Sequence, residues 1–327
     1  MFLLNGLRYV RWEIPTGRMD KSVIRKLTAA TFLLVLTTAS QTHAGAWEVG
    51  IEAYERGDYA AASGALRKAA QEGNAEAQYT LGLLCAKGLG VAKEPAQAAA
   101  WYRKAAEQGN TAAQVELGRS YASGSGVPQD YEQAVHWYAK ASAQGDPAAQ
   151  SGLAEMYEEG HGVPRDHAKA AQLWNKAATQ GDAAAQRSIA QMYEAGNGVK
   201  PDAAHAARLY RKAADQGDVA AQLKLASAYA GGAGVVRSYV NAAMWFRKAA
   251  EQGEAVAQYK LGVMYGMGQG VPKDFVQAYK WLALAATNGE QRAGAARDAM
   301  VGRMNVRQLA EAQKQAREWK PTERPAH

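Results

Sequence analysis

The chain has 327 residues, 48% of them apolar, so it can bury a sizeable core and does not have the composition of a disordered chain. Its formal net charge of +7 would suit a nucleic-acid partner, but six of the 38 basic residues and only two of the 31 acidic residues fall in residues 1–44. The remainder carries 32 basic and 29 acidic residues, interspersed, for a net charge of +3, which argues against nucleic-acid binding.

The amino-terminal segment, residues 1–44, has the pattern of a secretory signal peptide. A basic region precedes an apolar stretch over 27–39, and the small residues Thr42-x-Ala44 follow it. The stretch is shorter than the about 20 residues of a membrane span, although an uncleaved membrane anchor stays open as the alternative. Because residues 1–18 carry no such pattern, we expect translation to start at Met19. Export would place the protein in the periplasm of a Gram-negative cell. The basic residues are Lys21, Arg25 and Lys26.

The next segment, residues 45–72, contains Gly57-Asp58-Tyr59-x-x-Ala62 and, further on, Leu66-x-Lys68-Ala69-Ala70. These residues resemble a tetratricopeptide (TPR) unit. The resemblance implies a shortened amino-terminal helix pair that caps whatever follows.

From residue 73 onward a glycine recurs every 36 residues. Self-similarity at this period predicts a stack of supersecondary units, and residues 73–288 hold six copies. Rows of Gln and Ala keep the same step. The recurring glycines are Gly73, Gly109, Gly145, Gly181, Gly217, Gly253 and Gly289.

Each copy predicts two helices. Helix A, over 75–86 in the first copy, places Ala77, Leu81 and Cys85 on one face, and helix B covers about 95–108. The Gly-x-Gly-Val segment between them is short enough only for a turn between antiparallel neighbours. Asn or Asp after each recurring glycine suits an N-cap.

The rows Ala-x-Ala-Gln-x-x-Leu-Gly-x-x-Tyr-x-x-Gly-x-Gly-Val and Ala-x-x-Trp-Tyr-x-Lys-Ala-Ala-x-Gln-Gly resemble the Sel1-like repeat family, a relative of the TPR family. The resemblance implies an all-α protein, a right-handed α-solenoid of antiparallel helix pairs with a 36-residue period. Most members of the family act as adaptors or regulators of other proteins. One bacterial group is linked to peptidoglycan binding, but its repeats carry paired cysteines, and Cys85 is the only cysteine here.

After the repeats, residues 289–319 predict carboxy-terminal capping helices, and residues 320–327 predict a frayed tail.

The sequence predicts no catalytic site, no cofactor and no metal site. A cluster around His161 could be imagined as metal ligands, but its position between two turn glycines favours a solvated loop. Tryptophans that could stack on sugars fall on the predicted buried stripe of helix B, where core packing is expected. The cluster is Glu158, Glu159, His161, Asp166 and His167, and the tryptophans are Trp101, Trp137, Trp174, Trp245 and Trp281.

The predicted binding surface is the concave face lined by the A helices, where side chains vary from copy to copy on a constant scaffold. We expect a protein segment there as the partner. A cell-wall glycan is the alternative, and a membrane is expected only if the signal is uncleaved. The predicted contacts are Tyr79, Val115, Arg119, Glu155, Arg187, Gln191, Lys224, Tyr259 and Lys260.

Overall fold

A computed structural model describes residues 45–322, and in that range the regular structure is sixteen α-helices without strands. The first pair is α1 (Ala46–Glu55) and α2 (Tyr59–Gln71). The six A helices that follow are α3 (Ala75–Lys87), α5 (Thr111–Ser123), α7 (Pro147–Glu159), α9 (Ala183–Ala195), α11 (Val219–Gly231) and α13 (Ala255–Met267). The six B helices are α4 (Pro95–Glu107), α6 (Tyr131–Ala143), α8 (His167–Thr179), α10 (Ala203–Asp215), α12 (Tyr239–Glu251) and α14 (Phe275–Thr287). The last pair is α15 (Ala293–Val301) and α16 (Val306–Glu318).

From α1 to α15 each helix packs on the next one along the chain, and α16 packs on α14, so the described part of the molecule is a solenoid, as predicted. The A helices α5 and α7 also contact each other directly. This contact agrees with the expectation that A helices line the inner side of the array. We call the solvent-facing surface of the A helices the A-helix face.

Helix ends follow the local signals in the sequence. Asn74 Oδ1 accepts a hydrogen bond of 2.8 Å from the Ala77 N–H, and five later copies have the same cap. Asp130 caps α6 in the same way. Asp130 with Gln133, and Asp274 with Gln277, have the spacing of a capping box. Neither pair forms one, because no return bond from the Gln133 side chain is present and the Gln277 side chain bonds Gln315. A full capping box forms instead at Asn305 and Gln308, at the start of α16.

The second glycine of each turn allows adjacent repeats to approach closely. A Cβ on Gly162 would lie 2.4 Å from the carbonyl carbon and oxygen of Tyr131, the first residue of the preceding B helix. Its φ of 68° is also unfavourable for other residues. A turn that could be taken for a phosphate-binding loop is therefore a packing contact between repeats.

Small and apolar residues fill the space between helices. Ala77, Leu81 and Cys85 are fully buried, as their spacing predicts. The position of Cys85 is taken by Tyr in the five later copies, and burial raises the pKa of the Cys85 thiol. The thiol is a packing residue.

A ladder of buried amides crosses the repeats. In all six copies a buried Gln of the A helix accepts a hydrogen bond, at 2.8–3.0 Å, from the amide at the end of the same repeat's B helix. In five of them it also donates to the carbonyl eight residues earlier, in the preceding B helix. Five of the six glutamines therefore link three consecutive helices, and Gln150 links two. The ladder glutamines are Gln78, Gln114, Gln150, Gln186, Gln222 and Gln258.

The carboxy-terminal end remains attached to the array. The Trp319 ring packs edge-on against Trp281, with centroids 6.1 Å apart, and the Thr322 N–H donates to the Glu251 carbonyl at 2.8 Å. The chain is thus held at Thr322, beyond the predicted start of the frayed tail. Residues 323–327 lie outside the described residues, as does the predicted signal peptide over 1–44.

We predict that Gln186→Leu lowers the free energy of unfolding by about 1–3 kcal/mol, because Gln216 loses its buried acceptor and the Ala178 carbonyl loses a donor. The same change at the exposed Gln172 on α8 is the matched control, with an expected effect within about 0.5 kcal/mol. Urea unfolding followed by circular dichroism measures both. Equal effects of the two substitutions would show that the ladder contributes nothing specific.

Candidate binding face

The nine predicted contact residues all lie on A helices, but they differ in how accessible they are. Four are exposed and four are partly buried. Val115 is only 5% exposed and packs against Ala141 and Ala149, so it belongs to the core between the second and third repeats and cannot anchor a partner. The exposed residues are Arg119, Glu155, Gln191 and Lys260, and the partly buried ones are Tyr79, Arg187, Lys224 and Tyr259.

Three of the partly buried residues brace neighbouring structure. Arg187 Nε lies 3.1 Å from Asp218 Oδ2, the N-cap of the next A helix. The Arg292 guanidinium lies 4.7 Å from the centroid of the Tyr259 ring, and the Tyr79 ring leans on Tyr102. Arg187 and Tyr259 contact the segment that follows their own repeat, and Tyr79 contacts the B helix of its own repeat, so all three are poor candidates for contacts with a partner.

A pocket recurs on the A-helix face at the junction between repeats. It opens between repeats 1 and 2 with about 310 Å³, between 4 and 5 with about 340 Å³, and between 5 and 6 with about 250 Å³. Equivalent positions, shifted by multiples of 36 residues, line all three. We call these the junction pockets. The repeat geometry itself therefore builds them.

A row of large side chains from the B helices forms the floor of the junction pockets. Each member of the row is nearly buried, and the edges of Tyr102, Tyr210 and Phe246 reach the three pockets. Burial raises the pKa of Tyr138 to about 12 and raises that of Tyr102, so these hydroxyls stay protonated. Trp174 stands in this row rather than with the other four tryptophans. The row is Tyr102, Tyr138, Trp174, Tyr210 and Phe246.

Glycines in the A helices make room for these rings. A Cβ on Gly118 would lie 2.7 Å from the Tyr138 ring, and one on Gly152 would lie 2.8 Å from the other end of the same ring. Only a residue without a side chain fits at both positions. The Tyr138 ring therefore requires glycine at both of these helical positions.

The pocket between repeats 4 and 5 holds a hydrogen-bonded ion pair. Glu194 Oε2 accepts from the Tyr210 hydroxyl at 2.7 Å and from Lys224 Nζ at 2.9 Å. Burial would raise the pKa of Glu194, but the hydrogen bonds from Tyr210 and Lys224 and the Lys224 charge outweigh it and lower this pKa. Burial and the bond to Glu194 raise the pKa of Tyr210. Lys224 is therefore held in an ion pair at the junction, although its side chain is only partly buried.

The loop around His161 is occupied by structural contacts. Glu158 Oε2 accepts from Trp174 Nε1 at 2.9 Å, the His161 ring stacks on Tyr131 at 4.4 Å, and Asp166 caps α8. In residues 45–322 no group of three or more His, Cys, Asp or Glu side chains has the arrangement of a metal site.

The other four tryptophans pack between repeats. Trp137, Trp245 and Trp281 are nearly buried, at 7%, 1% and 4% exposed. A lysine ammonium lies 4.3–4.7 Å from the centroid of each of the four rings. They provide no open platform for a sugar ring. The fourth of them is Trp101, which is partly buried.

Stacked helix pairs with equivalent pockets at three of their junctions define an α-solenoid scaffold. The Sel1 repeat family model matches six consecutive segments, residues 75–110, 111–146, 147–182, 183–218, 219–254 and 255–290. Because these segments cover more than half of the chain, the chain belongs to the Sel1 repeat family. Scaffolds of this family serve protein–protein interaction in general, and the fold is typically non-catalytic.

Solved structures with this fold include a Sel1 repeat protein from Oxalobacter formigenes, which is 36% identical over 74% of this chain and 97% of its own, with a TM-score of 0.66. A protective antigen of uropathogenic Escherichia coli with an SLR fold is 28% identical, over 84% of this chain and 83% of that one, with a TM-score of 0.46. An immunity protein from Pseudomonas aeruginosa is 21% identical, over 70% and 82%, with a TM-score of 0.41. No curated protein matches.

Within residues 45–322, none of the helices combines the length and apolar character needed to cross a bilayer.

We predict that Glu194→Gln destabilises the protein at neutral pH and that the difference from wild type disappears as the pH falls below the folded-state pKa of Glu194. The folded-state pKa of Glu194 lies below its ordinary value of 4.5, so its contribution is present above that value and is lost as pH falls through the folded pKa. Thermal unfolding midpoints across this range measure the effect. Lys224→Met, which removes the cation and keeps the carboxylate, should lose stability in the same window. A pH-independent difference for Glu194→Gln would contradict the assignment.

Proposed function

We propose that this chain is a periplasmic scaffold that holds an extended segment of a partner protein along its A-helix face. The observation that carries the proposal is the recurrence of the junction pocket at a fixed step along one face. A single cleft would suit a small molecule. A line of equivalent pockets suits a ligand that repeats its own side chains at regular intervals.

The spacing of the pockets suits a polypeptide. Packed helices lie about 8–10 Å apart, and an extended chain advances about 3.3 Å per residue. About three residues of a partner therefore span one repeat. One side chain in about every three can enter a pocket while the intervening ones face solvent, and four repeats hold about twelve residues.

The pockets also combine a constant floor with a variable rim, which is what selective binding requires. Their floors are nearly invariant in size, whereas their rims change in charge and polarity. The position of Glu116 in the first pocket is Lys224 in the second and Lys260 in the third. A constant cavity with a variable rim allows each junction to select a different residue of one partner.

A cell-wall glycan is the second candidate that the sequence left open. Sugar binding by this fold would need exposed aromatic faces, and four of the five tryptophans that could supply them are nearly buried. A protein segment needs only the pockets and rims described above. We therefore favour the protein partner.

Periplasmic location rests on the sequence of residues 1–44 alone, with its basic region, its short apolar stretch and the small residues up to Ala44. A scaffold exported by such a signal would meet partners in the cell envelope.

We expect a photo-crosslinking amino acid at the exposed Gln191, on α9, to give specific adducts with a partner protein in cells. The same amino acid at the exposed Gln172, on the B helix α8, is the matched control and should give none, because the partner lies on the A-helix face. Immunoblotting and mass spectrometry of the adducts measure the outcome. Equal adducts from both positions would discard the A-helix face as the binding surface.

Mass spectrometry of the protein recovered from periplasmic extract should find its amino terminus at or near Gly45. Recovery only from the cytoplasm, or an intact terminus at Met1, would contradict both the proposed cleavage and the proposed start at Met19.

A further inference from the structure

Exposed large apolar side chains are concentrated in two adjacent repeats of the array. Among the described residues eight such side chains are exposed, and three of them belong to the terminal helix pairs. The other five belong to repeats 5 and 6, where Val236 is 88% exposed and Met267 is 62% exposed, and one of them, Tyr239, lines the junction pocket between these repeats. An exposed apolar patch on an otherwise polar surface marks an interaction site. The five are Val236, Tyr239, Val240, Met244 and Met267.

The junction pocket at this place is apolar. Phe246 forms its floor, and Val263 and Met264 form its wall. In the pocket between repeats 1 and 2 the positions of Val263 and Met264 are Arg119 and Ser120. The same two wall positions are therefore polar in the first pocket and apolar in the pocket between repeats 5 and 6.

The rim of the apolar pocket is positively charged. Lys260 is exposed on this rim, and no carboxylate of the described residues lies within ion-pair distance of it. The nearby Glu290 is held by Arg292 through both carboxylate oxygens. The Arg237 guanidinium lies 5.8 Å from the centroid of the ring of Tyr239, which also lines the pocket. An acidic group of a partner would therefore find unpaired positive charge at this rim.

We propose that the pocket between repeats 5 and 6 is the anchor for the partner segment and receives one large apolar side chain, while an adjacent Asp or Glu pairs with Lys260 and Arg237. This inference rests on the function proposed above and adds the chemistry and the place of the anchor. A buried apolar anchor inside a charged rim is the usual arrangement of a binding hot spot.

An anionic membrane surface would also satisfy apolar and basic side chains. The recessed floor favours a peptide, because Phe246 is only 3% exposed and Met264 only 5%. A ligand side chain has to enter the pocket to reach them, whereas a lipid surface would meet only the projecting side chains.

The test is selection of phage-displayed random peptides of about twelve residues, the length that spans about four repeats, on the purified chain. We expect the selected peptides to be enriched in a large apolar residue next to Asp or Glu. For a synthetic copy of the best peptide, Val263→Asp and Lys260→Glu should each weaken binding by at least about tenfold in fluorescence anisotropy. Replacing the acidic residue of the peptide by its amide should weaken binding to wild type but not to Lys260→Glu. Gln172→Asp, on the outer surface, should leave binding unchanged, and circular dichroism checks that each variant is folded.

The outcomes separate the anchor from the general function. Peptides that bind the A-helix face but lose more affinity with Ser123→Asp, in the first pocket, than with Val263→Asp would overturn the anchor and leave the proposed function standing. Failure to select any peptide would contradict both. Binding to phosphatidylglycerol vesicles that Val263→Asp abolishes, without peptide binding, would assign the patch to a membrane. Self-association abolished by Val240→Lys in sedimentation velocity would assign it to a second copy. Either result would overturn the inference.

Discussion

Buried glutamine amides set the spacing on which the rest of the array depends. Apolar contacts between helices are non-directional and would permit neighbouring repeats to slide or rotate. A buried primary amide tolerates no such movement, because a lost hydrogen bond leaves an unpaired polar group in the core. Gln186, for example, ties the end of α8 to α9 through the Ala178 carbonyl and ties α9 to the end of α10 through Gln216. Five of the six copies have both bonds and the third copy has the bond within its own repeat, which favours the same geometry at successive junctions.

Close packing of backbones is the second requirement for this geometry. The turn glycine Gly162 lies so near Tyr131 that any side chain would overlap the Tyr131 carbonyl. Any side chain at Gly118 or Gly152 would likewise overlap the Tyr138 ring. The ladder sets the register, and the glycines allow the approach that the register demands. The junction pockets are what remains between an A helix, its B helix and the next A helix once both conditions are met.

A scaffold of this kind can vary its ligand without changing its fold. The pocket between repeats 4 and 5 contains the Glu194–Tyr210–Lys224 network and is polar at its floor, whereas the pocket between repeats 5 and 6 has Phe246 at the floor and an unpaired Lys260 at the rim. None of these side chains takes part in the ladder. Substitutions at rim positions that make no such contact, such as Lys260, therefore change the surface chemistry at little cost to stability, which is the physical reason that repeat arrays serve as binding surfaces.

The sequence by itself determined the period, the two helices of each copy, their N-caps and the family. These features depend on local chemistry and on spacing. The N-cap Asn74, the turn glycine Gly88 and the repeated row that begins with Gln78 can all be identified from the sequence. It also identified the A helices as the carriers of the variable positions. Only the tertiary structure decided which variable side chains are available: Val115 is covered by α6 and α7, and Tyr259 lies under Arg292. Helical periodicity states which face a residue occupies, but the angle and distance at which the next repeat packs decide what covers that face. The junction pockets and their aromatic floor follow from that packing for the same reason.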